Sequence, residues 1–449
     1  MMDELKNQAQ SVVDLAMKLG ASAADGFVRE EDSFSVRVRK GDVETLKEAV
    51  SRSLRLRIFL GRKVASSQTS DLSPAVVDRL VKETIEMAQL ISDDESSGLP
   101  DHSFFPMQLP DLNLADPSWE ELTPEDRIDL ARRAEAAAAA ADVSITNSDG
   151  GAFEWERSRT VLVNSLGFAG AYESTMGYVA SSPIAERNGA MQQDSWFSIG
   201  RHRHQLETPE EVGQRAAQRV LRRVGARRIS TCVVPVVFDP LTARTLVKHI
   251  FEAVSGDAIY RKRSFLAGKL GESIAGKKVN LVDDALRVGG LGSRPFDDEG
   301  VETQITSIVE SGTLQNYLHS AYTGRRLSVR PTGNGTRTGS GSIAVGPTNF
   351  YMQPGETSEE EIIASVKTGL YVIELMGSGV NLVNGDYSRG ATGIWIENGK
   401  LTYPVHEITI AGNLQEMLQG ISMVGNDIVF LGSVCSPSVK IDSMTVSGE

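Results

Sequence analysis

Hydrophobic and polar positions follow two different patterns along the chain, and the change falls near residue 225. Before it, stretches of helical period alternate with stretches of period two, which predicts a sheet packed by helices. After it, short valine-rich runs are separated by glycines, which predicts many short strands in a curled or barrel-like sheet with a few helices. We therefore predict an α+β fold, with an N-terminal α+β domain over residues 1–225 and a β-rich C-terminal domain over 226–449.

The N-terminal domain is predicted to contain two sub-units, over about residues 1–91 and 123–225. Acidic residues and prolines dominate residues 92–122, which predicts an extended connector over the surface. The predicted elements are a helix over 4–19, strands over 25–38, 42–50 and 53–60, helices from Ser73 to about 91 and from Thr123 through 141, strands over 153–163, 167–179 and 194–199, and a helix from Thr208 to about 224.

One helix and the loop after it are the most informative part of the C-terminal domain. The valine-rich strand that ends at Phe238 is followed by Asp239-Pro240, which can open a helix because proline is tolerated at the first helical position. Apolar residues then recur at helical spacing, and a basic, glycine-punctuated loop runs on to Glu272. Two shorter helices are predicted, one that opens at Ser358 and one over about 414–420.

The net charge and the hydropathy of the chain argue against two classes of binding partner, nucleic acids and membranes. The chain has 449 residues, and 46 basic against 59 acidic side chains give a net charge of −13. This charge favours solubility and works against non-specific binding to nucleic acid or to an anionic membrane. No run approaches the roughly eighteen apolar residues of a membrane span, and the N-terminus MMDELKNQAQ is polar. We predict a cytoplasmic protein that binds neither nucleic acid nor membrane.

Candidate zinc ligands are sparse. Cys232 and Cys435 are far apart in sequence and are predicted to be reduced thiols, with no disulfide framework and no Cys-based zinc cluster. His249 and Glu252 lie one turn apart on the predicted helix, but neither H-E-x-x-H nor H-x-x-E-H is complete. An isolated His–Glu pair on a helix is more simply a solvated or hydrogen-bonded pair, so a metal is the less favoured alternative.

Two other stretches suggest functional loops without completing a known pattern. Residues 332–341 are rich in glycine but contain neither G-x-G-x-x-G nor G-K-[ST], so a tight or mobile turn is expected and its serine is a poor nucleophile candidate. Asp297, Asp298 and Glu299 precede a glycine and could hold a cation or act in acid–base chemistry. A hairpin corner or a subunit contact is the simpler interpretation of these carboxylates.

Four further histidines share no spacing that ties them together. Each is most simply interpreted as a surface or hydrogen-bonded residue. They are His202, His204, His319 and His406.

Several stretches of the C-terminal half together carry a family resemblance. They include PVVFDPLTARTLV, SGDAIYRKRSFLAGKLGE, PFDDEGVETQ, ESGTLQNYLHSAYTGRRL and GIWIENGKLTYPVHEITIAGNL, in this order. In these stretches the chain resembles the TldD/PmbA family, and within it the PmbA branch, also called TldE. The N-terminal SLRLRIFLGRKVASSQTSDLS fits as well, so the resemblance covers nearly the whole chain.

The resemblance allows the zinc-binding positions of the family to be compared with this chain. The TldD branch resembles a zinc metallopeptidase with H-E-x-x-x-H on the helix that here opens at Asp239-Pro240. When the chain is laid along that motif, Val247 and Glu252 fall at the histidine positions and Lys248 falls at the catalytic glutamate. An aliphatic side chain cannot ligate zinc, and a lysine would oppose the metal rather than activate its water. The family's cysteine ligand is not carried over to Cys435, because SVCSPSVK lacks the C-G-K run.

What the resemblance implies is a chain without catalytic or metal-binding residues of its own. It would be the zinc-free subunit of a TldD/TldE-type heteromeric metallopeptidase that acts on small or unfolded polypeptides, with zinc in a TldD-like partner. Arg261 and Arg263, together with the carboxylates Asp297, Asp298 and Glu299, are the candidate contacts with that partner or with substrate.

Two alternatives stay open. One is a stand-alone peptidase or hydrolase that uses the carboxylates at 297–299 with a different metal or none. The other is a regulatory protein that binds peptides or tunes a gyrase- or toxin-related process, as the family's older descriptions imply. A homodimer is one possible state of the isolated chain, because symmetric dimers are the commonest assemblies.

Overall fold

The computed structural model describes residues 2–187 and 189–448, and it confirms the predicted α+β class. Short 3-10 turns lie at His102–Phe104, Pro117–Glu121 and Arg203–Gln205. The other elements of the N-terminal part are α1 (Met2–Lys18), β1 (Ala23–Arg39), β2 (Asp42–Leu60), β3 (Lys63–Thr69), α2 (Pro74–Leu90), α3 (Pro124–Ala139), β4 (Ile145–Asn164), β5 (Ala169–Arg187), β6 (Ala190–Gln193), β7 (Trp196–Gly200) and α4 (Pro209–Leu221).

These strands form one antiparallel sheet in the order β3-β2-β1-β4-β5-β6, and β7 also pairs with β5. Because β1 pairs with β4 along most of its length, strands from both predicted sub-units belong to the same sheet. The helices cover this sheet with apolar faces: α1 and α2 pack in one hydrophobic cluster, and α3 and α4 in another.

Local capping explains where two of the helices begin. At α3, the Thr123 hydroxyl accepts from the Asp126 amide while the Asp126 carboxylate accepts from the Thr123 amide. Thr208 and Glu211 form the same reciprocal pair at α4. Each box satisfies two amides that a helix start leaves without partners. Ser73, by contrast, makes no side-chain cap at α2, which begins with proline at its first position.

Two expectations for the N-terminal part differ from the structure. The strands predicted over 42–50 and 53–60 are one continuous strand, because the pairing of β2 with β1 runs through Ser51 and Arg52 without interruption. The connector is irregular, as predicted, but parts of it are buried rather than extended over the surface. Leu112 and Trp119 are buried, and a Cβ at Gly177 would lie 2.0 Å from the Trp119 ring.

The C-terminal part contains a closed barrel, as the sequence predicted. Its elements are β8 (Cys232–Phe238), α5 (Pro240–Val254), α6 (Gly256–Tyr260), β9 (Leu281–Asp284), β10 (Ile305–Glu310), β11 (Thr313–Leu314), α7 (Ala321–Leu327), β12 (Gly335–Arg337), β13 (Ile343–Val345), β14 (Phe350–Met352), α8 (Glu359–Ala364), β15 (Thr368–Met376), β16 (Asp386–Glu397), β17 (Lys400–Asn413), α9 (Leu414–Gln419), β18 (Ile421–Val424), β19 (Val434–Cys435) and β20 (Val439–Ser447).

The barrel closes because β17 pairs with both β16 and β20 in the strand order β17-β16-β15-β8-β20. A second sheet has the order β11-β10-β9-β14-β19, and β12 and β13 form a separate hairpin. Helix α5 lies between the barrel and the second sheet, since its buried residues share one core with Val372 of β15 and Phe350 of β14. Asp239 caps α5 by accepting from the Thr242 amide. None of the helices in the described residues is long and apolar enough to cross a membrane.

Candidate functional site

Helix α5 presents the three positions where the family's zinc motif falls. Val247 is fully buried in the core between barrel and second sheet. Lys248 points outward, with 63% of its side chain exposed, and Glu252 is 36% exposed. The valine therefore packs the core while the two charged residues face solvent.

The carboxylate of Glu252 is already partnered within the helix. The Nδ1 atom of His249 lies 3.3 Å from Glu252 Oε2, and Lys248 Nζ lies 3.9 Å from Oε1. The hydrogen bond to His249 is the main reason that the pKa of Glu252 is lowered. This agrees with the predicted hydrogen-bonded pair. Within residues 2–187 and 189–448, no three His, Cys, Asp or Glu side chains converge in an arrangement that could hold a metal ion.

Both cysteines are free thiols. Cys435 lies on β19, which packs against α5, and its Sγ is 3.3 Å from the Gly432 carbonyl. Burial raises the pKa of the Cys435 thiol, so its thiolate form is disfavoured.

The carboxylates at 297–299 lie where the C-terminal part meets the N-terminal sheet. Asp297 and Glu299 are buried within this chain, contrary to the expectation that they are presented to a partner or substrate. Glu299 Oε1 accepts from Arg57 Nη1 at 3.2 Å, and its Oε2 accepts from the Ala321 amide at 2.8 Å. Asp298 is half-buried, so a contact through it stays a prediction.

Arg57 belongs to β2 of the N-terminal sheet and also donates to Asp25 Oδ2 at 2.7 Å. Arg337 of β12 donates to the other oxygen of Asp25, again at 2.7 Å. Its guanidinium also lies 5.2 Å from the centre of the Phe27 ring. We refer to Asp25, Arg57, Asp297, Glu299 and Arg337 as the junction network.

Asp297 orders its own turn through one carboxylate oxygen and anchors the β12–β13 hairpin through the other. One accepts from the Glu299 and Val301 amides at 2.9 Å each, and the other accepts from the Gly335 amide at 2.8 Å. Burial, and next the charge of Glu299, raise the pKa of Asp297 to about 7. The acidic turn is therefore a structural junction with its oxygens occupied, not an open cation site.

A cavity of about 580 Å³ lies beside the start of α7. It contains His319, which is only 6% exposed and whose ring nitrogens have no hydrogen-bond partner among the described residues. This contradicts the expectation of a surface or hydrogen-bonded histidine. Burial lowers the pKa of His319 to about 4, so the ring is neutral at pH 7. The cavity is lined by Phe104, Ile259, Leu270, Val301, Glu302, Gln304, Asn316, Tyr317, His319, Leu327, Val329, Arg330, Pro331 and Thr332.

The sequence contained only a weak signal for this residue. Ser320 and Thr323 form a capping box at α7, which fixes the backbone next to His319. Its neighbours in the cavity come from several separate segments, among them the connector with Phe104, and a scan for spacing cannot bring them together.

The basic loop after α6 is open to solvent. Arg261 and Arg263 are both exposed, and the guanidinium groups of Arg261 and Arg326 lie 5.2 and 5.9 Å from the centre of the Tyr260 ring. These contacts hold the basic groups at the surface. The partner contact predicted for this loop stays a prediction.

The remaining sequence candidates are accounted for locally. The glycine-rich stretch forms the β12–β13 hairpin, whose tip turns at Gly341 with φ +83°. His202 is buried, with Nε2 2.8 Å from the Asn113 carbonyl, and stacks on His204.

Family models match most of the chain. They describe PmbA/TldA metallopeptidase domain 1 over residues 24–88, the central domain over 117–224 and the C-terminal domain over 231–448. The metalloprotease PmbA of Escherichia coli O157:H7 is 37% identical over 443 residues, which are 98% of this chain and 96% of that protein. The metalloprotease PmbA homolog of Haemophilus influenzae is 35% identical and covers 99% of this chain and 96% of its own length.

More distant relatives and solved structures agree with these matches. The metalloprotease TldD homolog of Haemophilus influenzae is 28% identical over 73% of each chain. A crystal structure from Bacteroides thetaiotaomicron, titled as a candidate modulator of DNA gyrase, superposes with a TM-score of 0.92 at 29% identity over 100% of this chain and 99% of that one. TldE from Thermococcus kodakarensis shares the fold, with a TM-score of 0.88 at 23% identity over 98% of this chain and 100% of its own.

Proposed function

This chain belongs to the PmbA/TldD family of metallopeptidases, and from that premise we propose that it is the non-catalytic, zinc-free subunit of a heteromeric peptidase. In this proposal a TldD-like partner holds the zinc ion, and the pair cleaves small or unfolded polypeptides. The proposed place of action is the cytoplasm, where Cys232 and Cys435 would stay reduced.

The observation that carries the proposal is the chemistry of α5. A zinc peptidase needs nitrogen, sulfur or oxygen ligands and a base beside the bound water. Here a buried valine, an exposed lysine and a glutamate paired with His249 occupy the motif positions. Recovery of a site would require Val247 to leave the core, and burying a polar group in its place would be costly.

A partner of the TldD kind is supported by the relatives. Haemophilus influenzae has both a protein named as a PmbA homolog and one named as a TldD homolog, and this chain is similar to both. The higher identity and coverage are with the PmbA homolog. Two related chains in one organism are what a heteromeric enzyme requires.

The stand-alone hydrolase gains no support from the acidic turn. All four oxygens of Asp297 and Glu299 accept hydrogen bonds from this chain, and both residues are buried. A general base must be able to reach the proton that it removes.

The test is a peptidase assay on an unfolded polypeptide with this chain alone, with the TldD-like chain of the same organism alone, and with an equimolar mixture. Zinc content is measured in the same samples, and heat-denatured chain replaces the native chain in a control mixture. We expect cleavage in the native mixture, little in either chain alone, and zinc only where the TldD-like chain is present. Stoichiometric zinc and partner-independent cleavage in this chain would overturn the proposal.

A further inference from the structure

We propose that the cavity around His319 binds an aromatic side chain of a peptide that carries one neutral hydrogen-bonding group, with tyrosine as the preferred residue. This inference rests on the proposed function, in that peptides are the expected ligands. It assigns to this chain a specificity pocket that is independent of zinc.

The walls of the cavity require a largely apolar ligand. Eight of the lining residues are apolar or aromatic, and they come from the connector, from α6 and the loop after it, from the loop before β10, and from α7 with the segments on either side of it. The volume of about 580 Å³ lies in the usual range of small-ligand sites, roughly 300–1,000 Å³. The lining residues of this apolar and aromatic class are Phe104, Ile259, Leu270, Val301, Tyr317, Leu327, Val329 and Pro331.

One polar group in the cavity lacks a partner. The ring of His319 is buried, and its Nδ1, which faces Gly256, is shielded from solvent without a hydrogen-bond partner. Nε2 also makes no hydrogen bond to a described residue, and it is the ring nitrogen left for a ligand in the cavity. Buried polar side chains are nearly always hydrogen-bonded, so an imidazole of this kind needs an explanation. A ligand group in the cavity that bonds to Nε2 would give the ring a partner.

The ring is held in place rather than free to turn away. The His319 amide donates to Thr332 Oγ1 at 2.8 Å, and the Thr332 amide donates back to the His319 carbonyl at 3.0 Å. On its other side, the imidazole lies against Gly256, where a Cβ would come within 2.6 Å of Nδ1. A binding group that is already ordered in the free protein loses less conformational entropy when the ligand binds.

The charges around the cavity favour a neutral group in the ligand. Because burial lowers the pKa of His319 to about 4, the imidazole is neutral at pH 7 and offers one donor and one acceptor. The charged side chains that line the cavity are Glu302 and Arg330, both exposed, and the Arg330 guanidinium lies 5.2 Å from the centre of the Phe104 ring. The charges therefore belong to the rim, and the buried end suits a phenol or indole, which combine an apolar body with one polar group.

The test is titration calorimetry of the isolated chain at pH 7.5 with three capped tripeptides, Ac-Ala-Tyr-Ala-NH2, Ac-Ala-Phe-Ala-NH2 and Ac-Ala-Glu-Ala-NH2. We expect the tyrosine peptide to bind at least about tenfold more tightly than the phenylalanine peptide, the value of roughly one hydrogen bond. The glutamate peptide should bind weakest, because its charge would be buried.

Two variants localise the effect. His319→Phe should reduce binding of the tyrosine peptide to the level of the phenylalanine peptide, while the matched variant His406→Phe, outside the cavity, leaves all affinities unchanged. Val329→Trp, at a half-exposed position of the wall, should fill the cavity and abolish binding even if His319→Phe does not fold. Equal affinity for the tyrosine and phenylalanine peptides, or undiminished binding by Val329→Trp, would overturn the inference.

This result is separable from the proposed function. Binding is measured without a partner and without turnover. If the mixture cleaves the substrate but this chain binds no peptide, only the proposal of a tyrosine pocket is contradicted. If this chain binds the peptide but activates no TldD-like partner, only the proposal of a heteromeric enzyme is contradicted.

Discussion

The junction network and the His319 cavity are neighbours, and they differ in whether the buried carboxylates of the one and the buried imidazole of the other have hydrogen-bond partners. The Ala321 amide donates to Glu299 of the network, and His319 lies two residues earlier in the chain. Every carboxylate oxygen of Asp25, Asp297 and Glu299 has a partner, whereas the imidazole has none. The partnered carboxylates indicate a structural contact between the N-terminal sheet and the C-terminal part, although Arg57 Nη2 and the Nε and Nη1 of Arg337 make no hydrogen bond of their own. An imidazole without a partner beside a cavity indicates a place for a ligand.

Removal of a charge from the network should have the largest effect on the free energy of unfolding. Arg57→Met would leave Asp25 without one partner and Glu299 with one fewer, both buried. We expect a loss of about 3–5 kcal/mol in the free energy of unfolding, because an uncompensated buried charge is costly. Urea unfolding measures it.

The matched control is Arg79→Met, which removes the exposed ion pair with Glu83 on α2. That pair should contribute less than about 1 kcal/mol. A similar small effect for Arg57→Met would mean that the network does not hold the domains together.

The contribution of Asp297 to the pH dependence of stability should have a definite sign, opposite to that of Asp25, whose pKa, despite its burial, is lowered beside Arg337 and Arg57. Because the folded-state pKa of Asp297 is raised to about 7 from 3.8, the folded chain binds this proton more tightly than the unfolded chain does. Its contribution is therefore full below about pH 4 and is lost as the pH rises through 7, at up to about 1.4 kcal/mol per pH unit.

Asp297→Asn removes this titration. The difference in unfolding free energy between the original chain and the variant should fall from pH 4 to 7 and level off above it. A difference that stays flat over this range would show that the carboxylate is already ionised in the folded chain.

The cavity should show the opposite sign. Burial lowers the pKa of His319 to about 4 from 6.5, so this residue contributes stability above pH 6.5 that is lost as the pH falls towards 4. His319→Phe should remove that acidic loss. Unfolding midpoints measured at several pH values between 4 and 7 test it, with the exposed His102 replaced by Phe as the matched control. An unchanged acidic slope would mean that His319 is already solvated.

Exposed charged residues, which are neither in the junction network nor in the cavity, should have the smallest effect on stability. Charge reversal in the basic loop, Arg261→Glu with Arg263→Glu, should leave unfolding unchanged within about 0.5 kcal/mol. It should weaken affinity for a TldD-like partner by roughly tenfold, and the loss should shrink at high salt.

A matched reversal elsewhere on the surface, Lys277→Glu with Lys278→Glu, controls for net charge, since both lysines are also exposed. Titration of the partner with each double variant distinguishes the two positions. Equal affinities would show that the basic loop does not contact the partner.

Features set by neighbours in sequence were predictable from the sequence. The capping boxes at Thr123 and Thr208 need residues three apart, and they locate the starts of α3 and α4. The glycine-separated short strands predicted a barrel-like sheet, and a closed barrel is present. The continuity of β2 depends on the partner strand, and the alternation within 42–60 could not reveal it.

The residues of the candidate site were harder to predict from the sequence, for a physical reason. Glu299 is buried because Arg57, 242 residues away, meets it across the domain junction. His319 lacks a partner because the segments around it form walls without placing a donor or acceptor against the ring. Both outcomes depend on tertiary contacts that no local pattern encodes. The motif positions on α5 could be assigned by resemblance, and the structure adds that Val247 is a core residue.

We propose that this chain completes a peptidase whose zinc is held by another chain. Native mass spectrometry of the purified chain mixed with a TldD-like chain of the same organism tests it most directly. We predict a complex that contains both chains, with zinc that remains on the TldD-like chain when the complex is dissociated in the gas phase. A mixture that yields only separate assemblies, or zinc that stays with this chain on dissociation, would contradict the claim.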